Sequence, residues 1–295
     1  MVNIFLTIVT LGIYKFWGKT RVRNYLWSQT ELEGERFAYH GTGRELMIGF
    51  SKVMLLFAVP VMLLNVLPRI VGPNSIMRIV TPVLTFSLVM AVFPMAVVGF
   101  RRYLLSRTSW RAIRFSFRGQ VKDFAALFLG GSLLTAITLG LYYPFFDVRR
   151  QGFMVNNSYF GNHSFTFEGN GRDLFKPFFV ALLLSIPTLG LSWVWFMAAR
   201  QRYLWEHTRL DDVRFSSTVT AGGLLGLYAG NFLLLLVTLG LAWSWVVVRS
   251  VNFAFSYLTL EGTMDLAKVR QEAQTASATG DVLGDVMDAG FDLGY

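Results

Sequence analysis

The sequence predicts an α-helical polytopic membrane protein of about six transmembrane helices in ~50-residue repeats, each helix followed by a short β-hairpin-like interfacial segment. Three observations predict it: little charge, a set of long uncharged runs, and a Thr-Leu-Gly motif that recurs along the chain.

Charge is the first of these. Only 15% of the 295 residues are charged and 54% are hydrophobic, whereas soluble domains run about 25% charged. Aromatic residues reach 16%, a bias suited to a bilayer and its interfaces. The chain has no Cys, which excludes disulfides, thiolate catalysis and thiolate metal ligation. Its net charge of +9 fits basic segments that meet anionic head groups. Seven basic residues crowd 101–122, yet no nucleic acid is expected there, because the adjacent bilayer already offers phosphates.

The uncharged runs give the spans. A hydrocarbon core of about 30 Å takes about 20 helical residues. Residues 79–100, 124–146, 177–199 and 215–248 carry no charge, and 46–67 carries only Lys52. Residues 1–14 are apolar but short, and read as an incomplete first helix without a cleavable signal. The domain boundaries follow: 1–262 is a repeat-built transmembrane domain, and 263–295 is an acidic tail whose composition predicts disorder.

The repeat sets the organisation. Thr-Leu-Gly occurs at Thr10, Thr138, Thr188 and Thr238, the last three spaced by 50 residues. A degenerate copy without the motif is recognised by Tyr103, Thr108, Phe115 and Gly119 at the expected offsets. In continuous helices the small residues Thr10, Gly12, Thr138, Gly140, Thr188, Gly190, Thr238 and Gly240 would allow close helix–helix approach. Each helix is expected to start at a cap, with Thr42 and Glu45, or Asn170 and Asp173, in the capping-box pattern. Phe37-Ala38-Tyr39, Phe115-Ser116-Phe117 and Phe165-Thr166-Phe167 alternate with period two, as strands of small surface hairpins do.

The stretch TLGIYKFWGKTRVRNYLWSQTELEGERFAYHGTGRELMIGF, echoed in the later copies, resembles the YjgN-like family of bacterial inner-membrane proteins, a domain of unknown function. The resemblance runs to about residue 262 and implies a multi-pass protein of the inner membrane with no assigned activity.

Candidate chemistry is sparse. The uncharged spans hold no Asp, Glu, Lys, Arg or His, which weighs against a carboxylate-driven pump. His40, His163 and His207 lack metal-ligand spacing, so no metal and no cofactor is expected. Gly41-x-Gly43 and Gly169-x-Gly171 lack the setting of a phosphate loop and read as helix caps. No nucleophile elbow is present, and no enzyme is expected. The candidate head-group contacts are Arg21, Arg23, Arg149, Arg150, Arg200, Arg202 and Arg249, placed just past the aromatic belt. Membrane lipids, anionic ones in particular, are the expected partners, and the sequence names no protein partner.

Two topologies compete. Six single passes place 17–45, 101–123 and 200–221 on one side, with 16 Lys and Arg against 9 on the other. That excess favours the first set as cytoplasmic. Alternatively Thr-Leu-Gly breaks each helix, and re-entrant units put every hairpin on one side. The alternating model is preferred because only unbroken helices reach about 20 residues. The expected function is a non-enzymatic lipid-interacting or scaffold protein of the envelope. The alternative is a small-solute or lipid transporter built from inverted repeats.

Overall fold

A computed structural model describes residues 9–53, 59–71, 75–262 and 269–270, with Leu6, Leu55 and Phe57. The helix expected before Thr10 and the acidic tail fall almost wholly outside the described residues. The chain divides into two compact units, Met1–Ala126 and Leu127–Arg270.

The first unit carries α1 (Lys15–Gln29), α2 (Gly43–Val53), α3 (Val59–Val71) and the long α4 (Ser75–Ser106). Its strands β1 (Glu31–Leu32), β2 (Glu35–Tyr39), β3 (Thr108–Trp110) and β4 (Ile113–Phe117) form an antiparallel meander. The capping box forms: the Glu45 amide donates to Thr42 Oγ1 at 3.3 Å and the Thr42 amide to Glu45 Oε2 at 3.4 Å. Leu46 and Tyr103 pack with Phe16 where α1, α2 and α4 meet.

The second unit holds most of α5 (Val121–Ile137), then α6 (Tyr143–Asn156), α7 (Gly171–Leu183), α8 (Ser192–Glu206), α9 (Ala221–Val237) and α10 (Trp243–Ser256). Strands β5 (Ser158–Phe160), β6 (His163–Phe167), β7 (Thr208–Leu210), β8 (Val213–Ser217) and β9 (Leu258–Glu261) pair antiparallel in sequence order. The Phe-x-Phe alternation turns one face of each strand inward. Phe167 joins Val148, Val155, Leu174 and Leu204 in the core between sheet and helices.

The expected six-span helical architecture is not what forms. Among the described residues one helix, α4, is long and apolar enough to cross a membrane. The runs 124–146, 177–199 and 215–248 each break into two helices at Thr-Leu-Gly. The cause is local. Leu139, Leu189 and Leu239 sit in the left-handed region at φ 50°, 50° and 49°, followed by Gly140, Gly190 and Gly240 at φ 93°, 85° and 84°. Two successive residues at positive φ cannot continue a right-handed helix, and glycine holds the second at little cost. The arms, of 13 to 17 residues, are about 20–25 Å long, short of a 30 Å core.

The arms fold back on each other as helical hairpins. Ser192 Oγ donates to the Ala181 carbonyl at 2.8 Å, Asn231 Nδ2 donates to Ser250 Oγ at 3.2 Å, and the Phe128 and Phe146 rings lie 5.9 Å apart. Each helical hairpin therefore returns to the side it left. The β-hairpins of this unit accordingly lie next to each other in one meander, with β6 on β7 and β8 on β9. This corrects the preferred alternating topology in favour of helix breaks.

Candidate functional site

The candidate site is the surface built from the hairpin tips and the basic residues behind them. Each tip is closed in the same way. Thr138 Oγ1 donates to the Leu134 carbonyl at 2.7 Å and accepts from the Tyr142 amide at 3.0 Å. The Gly140 amide donates back to the Thr135 carbonyl at 2.7 Å, the six-to-one bond that ends a helix in the Schellman manner. Thr188 and Thr238 repeat this with Ser192 and Ala242 as donors, at 3.2 and 3.1 Å, while Gly190 and Gly240 donate to Ser185 and Leu235. Thr10 accepts from the Tyr14 amide at 2.9 Å. In the second unit every amide N–H from the motif threonine to the start of the next helix is thereby bonded within the turn.

What the tips present is apolar. Leu11, Leu139, Leu189 and Leu239 are 91–94% exposed. A left-handed position at a water-exposed turn favours Gly, Asn or Asp, and a bulky residue there costs about 1–2 kcal/mol. Ile137, Ile186, Val237 and Trp243 extend the apolar surface along the arms. The glycines expected at helix–helix contacts stand instead in the open: no atom comes within 4 Å of a Cβ placed on Gly12, Gly140, Gly190 or Gly240. Their role is the turn.

The seven arginines separate into two groups. Arg21 and Arg149, eleven residues after their motif threonines, are exposed and lie over the Tyr14 and Tyr142 rings at 6.0 and 5.9 Å. Arg249, at the same offset, is exposed with its guanidinium beside Gly230. Between that level and the end of α9 lie seven residues, about 10 Å of helix. With the turn added, the basic level stands roughly one hydrocarbon leaflet behind the tip.

The remaining four are engaged by the fold. Arg23 Nη1 donates to Tyr39 Oη at 3.5 Å and lies over the Phe100 ring at 5.6 Å. Arg202 Nη1 donates to the Val219 carbonyl at 2.6 Å. Arg150 and Arg200 converge on Asp147, a residue that sequence reasoning passed over, whose side chain is 1% exposed. Arg200 grips it through Nε at 2.5 Å and Nη2 at 2.7 Å, and Arg150 adds Nη2 at 2.9 Å. The i, i+3 spacing of Asp147 and Arg150 was a readable signal. Arg200, 53 residues on, was not.

Neighbouring helices are tied near their β-hairpin ends by a second polar motif. Tyr203 Oη donates to Asp173 at 2.7 Å and accepts from the Asn170 amide at 2.6 Å. In the first unit Tyr103 donates to Glu45 at 3.2 Å, and Arg107 holds the same carboxylate with two bonds of 3.1 Å. His40 bonds Ser109 Oγ at 2.8 Å, and His163 pairs with Asp211 at 2.5 Å across two β-turns. Among the described residues no group of three acidic, His or Cys residues is arranged to hold a metal.

Fold and surface define a protein of helical hairpins with apolar tips and a basic collar, standing on antiparallel β-hairpins. The chain belongs to the DUF898 family, described as "Bacterial protein of unknown function (DUF898)", whose model matches residues 1–191 and 181–286. It is similar to the inner membrane protein YjgN of Escherichia coli K12, 34% identical over 140 residues, covering 48% of this chain and 33% of the relative. The inner membrane protein YjgN of Salmonella typhimurium LT2 is 30% identical over 118 residues, covering 40% and 27%. The aligned part thus spans about a third of these relatives' length. No solved structure matches. The resemblance carried by the motifs is therefore a family membership, and the family's named relatives are inner-membrane proteins.

Proposed function

We propose that the chain is a non-enzymatic, lipid-contacting scaffold of the bacterial inner membrane. In this reading α4 crosses the bilayer, and the Thr-Leu-Gly tips of the second unit are set into one leaflet, with Arg149 and Arg249 at the head groups of anionic lipids; Arg21 takes the same role behind the first unit's own tip. The observation that carries it is the exposed leucine held in the left-handed region at four tips. In water that residue loses twice, by backbone strain and by exposed apolar surface. In lipid, burial of each leucine recovers about 1.5–3 kcal/mol, and the bonded amides of the turn avoid the cost that an unpaired backbone N–H carries in hydrocarbon.

A transporter of inverted repeats would need successive units of opposite orientation. Successive hairpins of the second unit pair side by side in one meander, which supports the scaffold over the carrier. The test uses the absence of native Cys. A polarity-sensitive fluorophore on Leu239→Cys, in vesicles, is expected to emit in the blue and to be quenched by brominated lipid, while the same label on Thr259→Cys is quenched by aqueous iodide. Iodide quenching at both positions would remove the tips from the membrane and end this reading.

A further inference from the structure

We propose that Asp147, Arg150 and Arg200 form a binding site for one phosphodiester, supplied by an anionic phospholipid head group. This rests on the reading that the hairpin tips of the second unit enter the bilayer.

The site is not a requirement of the hairpin itself. Nine residues after the motif threonine, where Asp147 stands, the other motif-bearing copies have Lys19, Met197 and Val247. Those hairpin arms form without a carboxylate there. Arg150 and Arg200 occupy the same place in successive copies, twelve residues after Thr138 and Thr188. The fold brings these two equivalent residues together on one buried acid.

Charge and geometry name the ligand. Two guanidinium groups share one carboxylate, leaving a surplus of one positive charge. A phosphodiester, with one negative charge, closes the balance, whereas a phosphomonoester dianion would overshoot it. Arg200 is fixed by its two-point grip on Asp147. Arg150 is 45% exposed and gives Asp147 one N–H, of the five that a guanidinium carries. Its outward edge can offer paired N–H donors to two phosphate oxygens, the geometry that suits arginine to phosphate. Arg150 lies seven residues into α6 from its tip-proximal start at Tyr143, about 10 Å of helix. That depth is the head-group side of a 15 Å leaflet.

The experiment takes the full chain in an uncharged detergent and titrates it with phosphatidylglycerol, with phosphatidylcholine, and with inorganic phosphate as competitor. Bound lipid is counted by native mass spectrometry. One tightly held phosphatidylglycerol per chain is expected, in preference to phosphatidylcholine and not displaced by inorganic phosphate. Arg150→Gln, which leaves the Arg200–Asp147 pair in place, should weaken that binding about tenfold, as loss of a charge-assisted pair does. Asp147→Asn adds a positive charge yet should weaken binding, because it frees the guanidinium groups from their alignment; tighter binding would show that Asp147 merely competes with the lipid, and would overturn the site. Should Asp147→Asn fail to fold, Arg150→Gln decides alone. Equal retention of both lipids, unchanged affinity in Arg150→Gln, or displacement by inorganic phosphate each overturns the proposal without touching tip insertion. A chain that stays out of phosphatidylcholine vesicles altogether instead refutes the insertion reading beneath it.

Discussion

Tyr203, on α8, donates its hydroxyl hydrogen to the carboxylate of Asp173, on α7, at 2.7 Å, and Tyr103 makes the same bond to Glu45 at 3.2 Å. In each unit this bond ties the acid that opens one helix to a tyrosine on a helix leading into the next β-hairpin. Neighbouring helices are thereby fastened to each other at matching places in the two units.

The Tyr203 bond has a stability consequence. Tyr203→Phe leaves the Asn170 amide without its acceptor and is expected to cost about 1 kcal/mol, read as a lower midpoint of thermal unfolding in detergent. Tyr103→Phe should cost less, since Arg107 still holds Glu45 with two bonds. Burial, then the Asp173 bond, pushes the Tyr203 hydroxyl up to about 12. The protonated form is thus favoured by folding. Its contribution is complete below about pH 10, the ordinary tyrosine value, and is lost as pH rises through about 12. An alkaline unfolding series that loses this increment below pH 9 would contradict the assignment.

At the tips, substitution should have effects of opposite sign in two media. Replacing Leu139, Leu189 and Leu239 with Asn should relieve left-handed strain of about 1 kcal/mol per turn, raising the unfolding midpoint in detergent. The same variant should partition more weakly into vesicles, since each leucine forfeits its burial in lipid. A parallel fall in both measurements would mean that the leucines pack against protein.

Breaking the buried cluster should be severe. Arg200→Ala leaves Asp147, whose side chain is 1% exposed, with the single bond from Arg150, and loss of one partner from a buried pair costs about 3–5 kcal/mol. Arg150→Ala removes a half-exposed partner and should cost about 1 kcal/mol or less. Unfolding midpoints of the two single variants and the double variant give the coupling directly.

The exposed arginines should act through charge. Arg149→Gln and Arg249→Gln are each expected to lower affinity for phosphatidylglycerol-containing vesicles by about 1 kcal/mol. The loss should shrink as salt is raised, because the screening length is about 8 Å at physiological ionic strength. Arg202→Gln, whose guanidinium is spent on the Val219 carbonyl, should show up in stability instead.

Much of this was legible in the sequence. The Phe-x-Phe strands and the Thr42–Glu45 cap stand where the residue pattern put them. The break at Thr-Leu-Gly was readable only as an alternative. Both arms of each hairpin are apolar, so hydropathy runs unbroken through residues such as 124–146, and leucine is a residue that ordinarily argues against a left-handed turn. The glycine two residues after each threonine was the better signal, as a helix terminator. Which arginines face outward was not legible, because the partners that hold Arg200 and Arg202 inside lie 53 and 17 residues away. Asp147 escaped notice by standing one residue beyond an uncharged run.

If the second unit's helices turn back inside the bilayer, its β-hairpins all lie on one side. Single cysteines at Leu189, Thr166 and Thr259, in the otherwise Cys-free chain, test it with a membrane-impermeant maleimide applied to intact cells and then to inverted membrane vesicles. Thr166→Cys and Thr259→Cys are expected to react from the same side, and Leu189→Cys from neither until detergent dissolves the membrane. Labelling of Thr166→Cys and Thr259→Cys from opposite sides, or of Leu189→Cys in intact membranes, would contradict it.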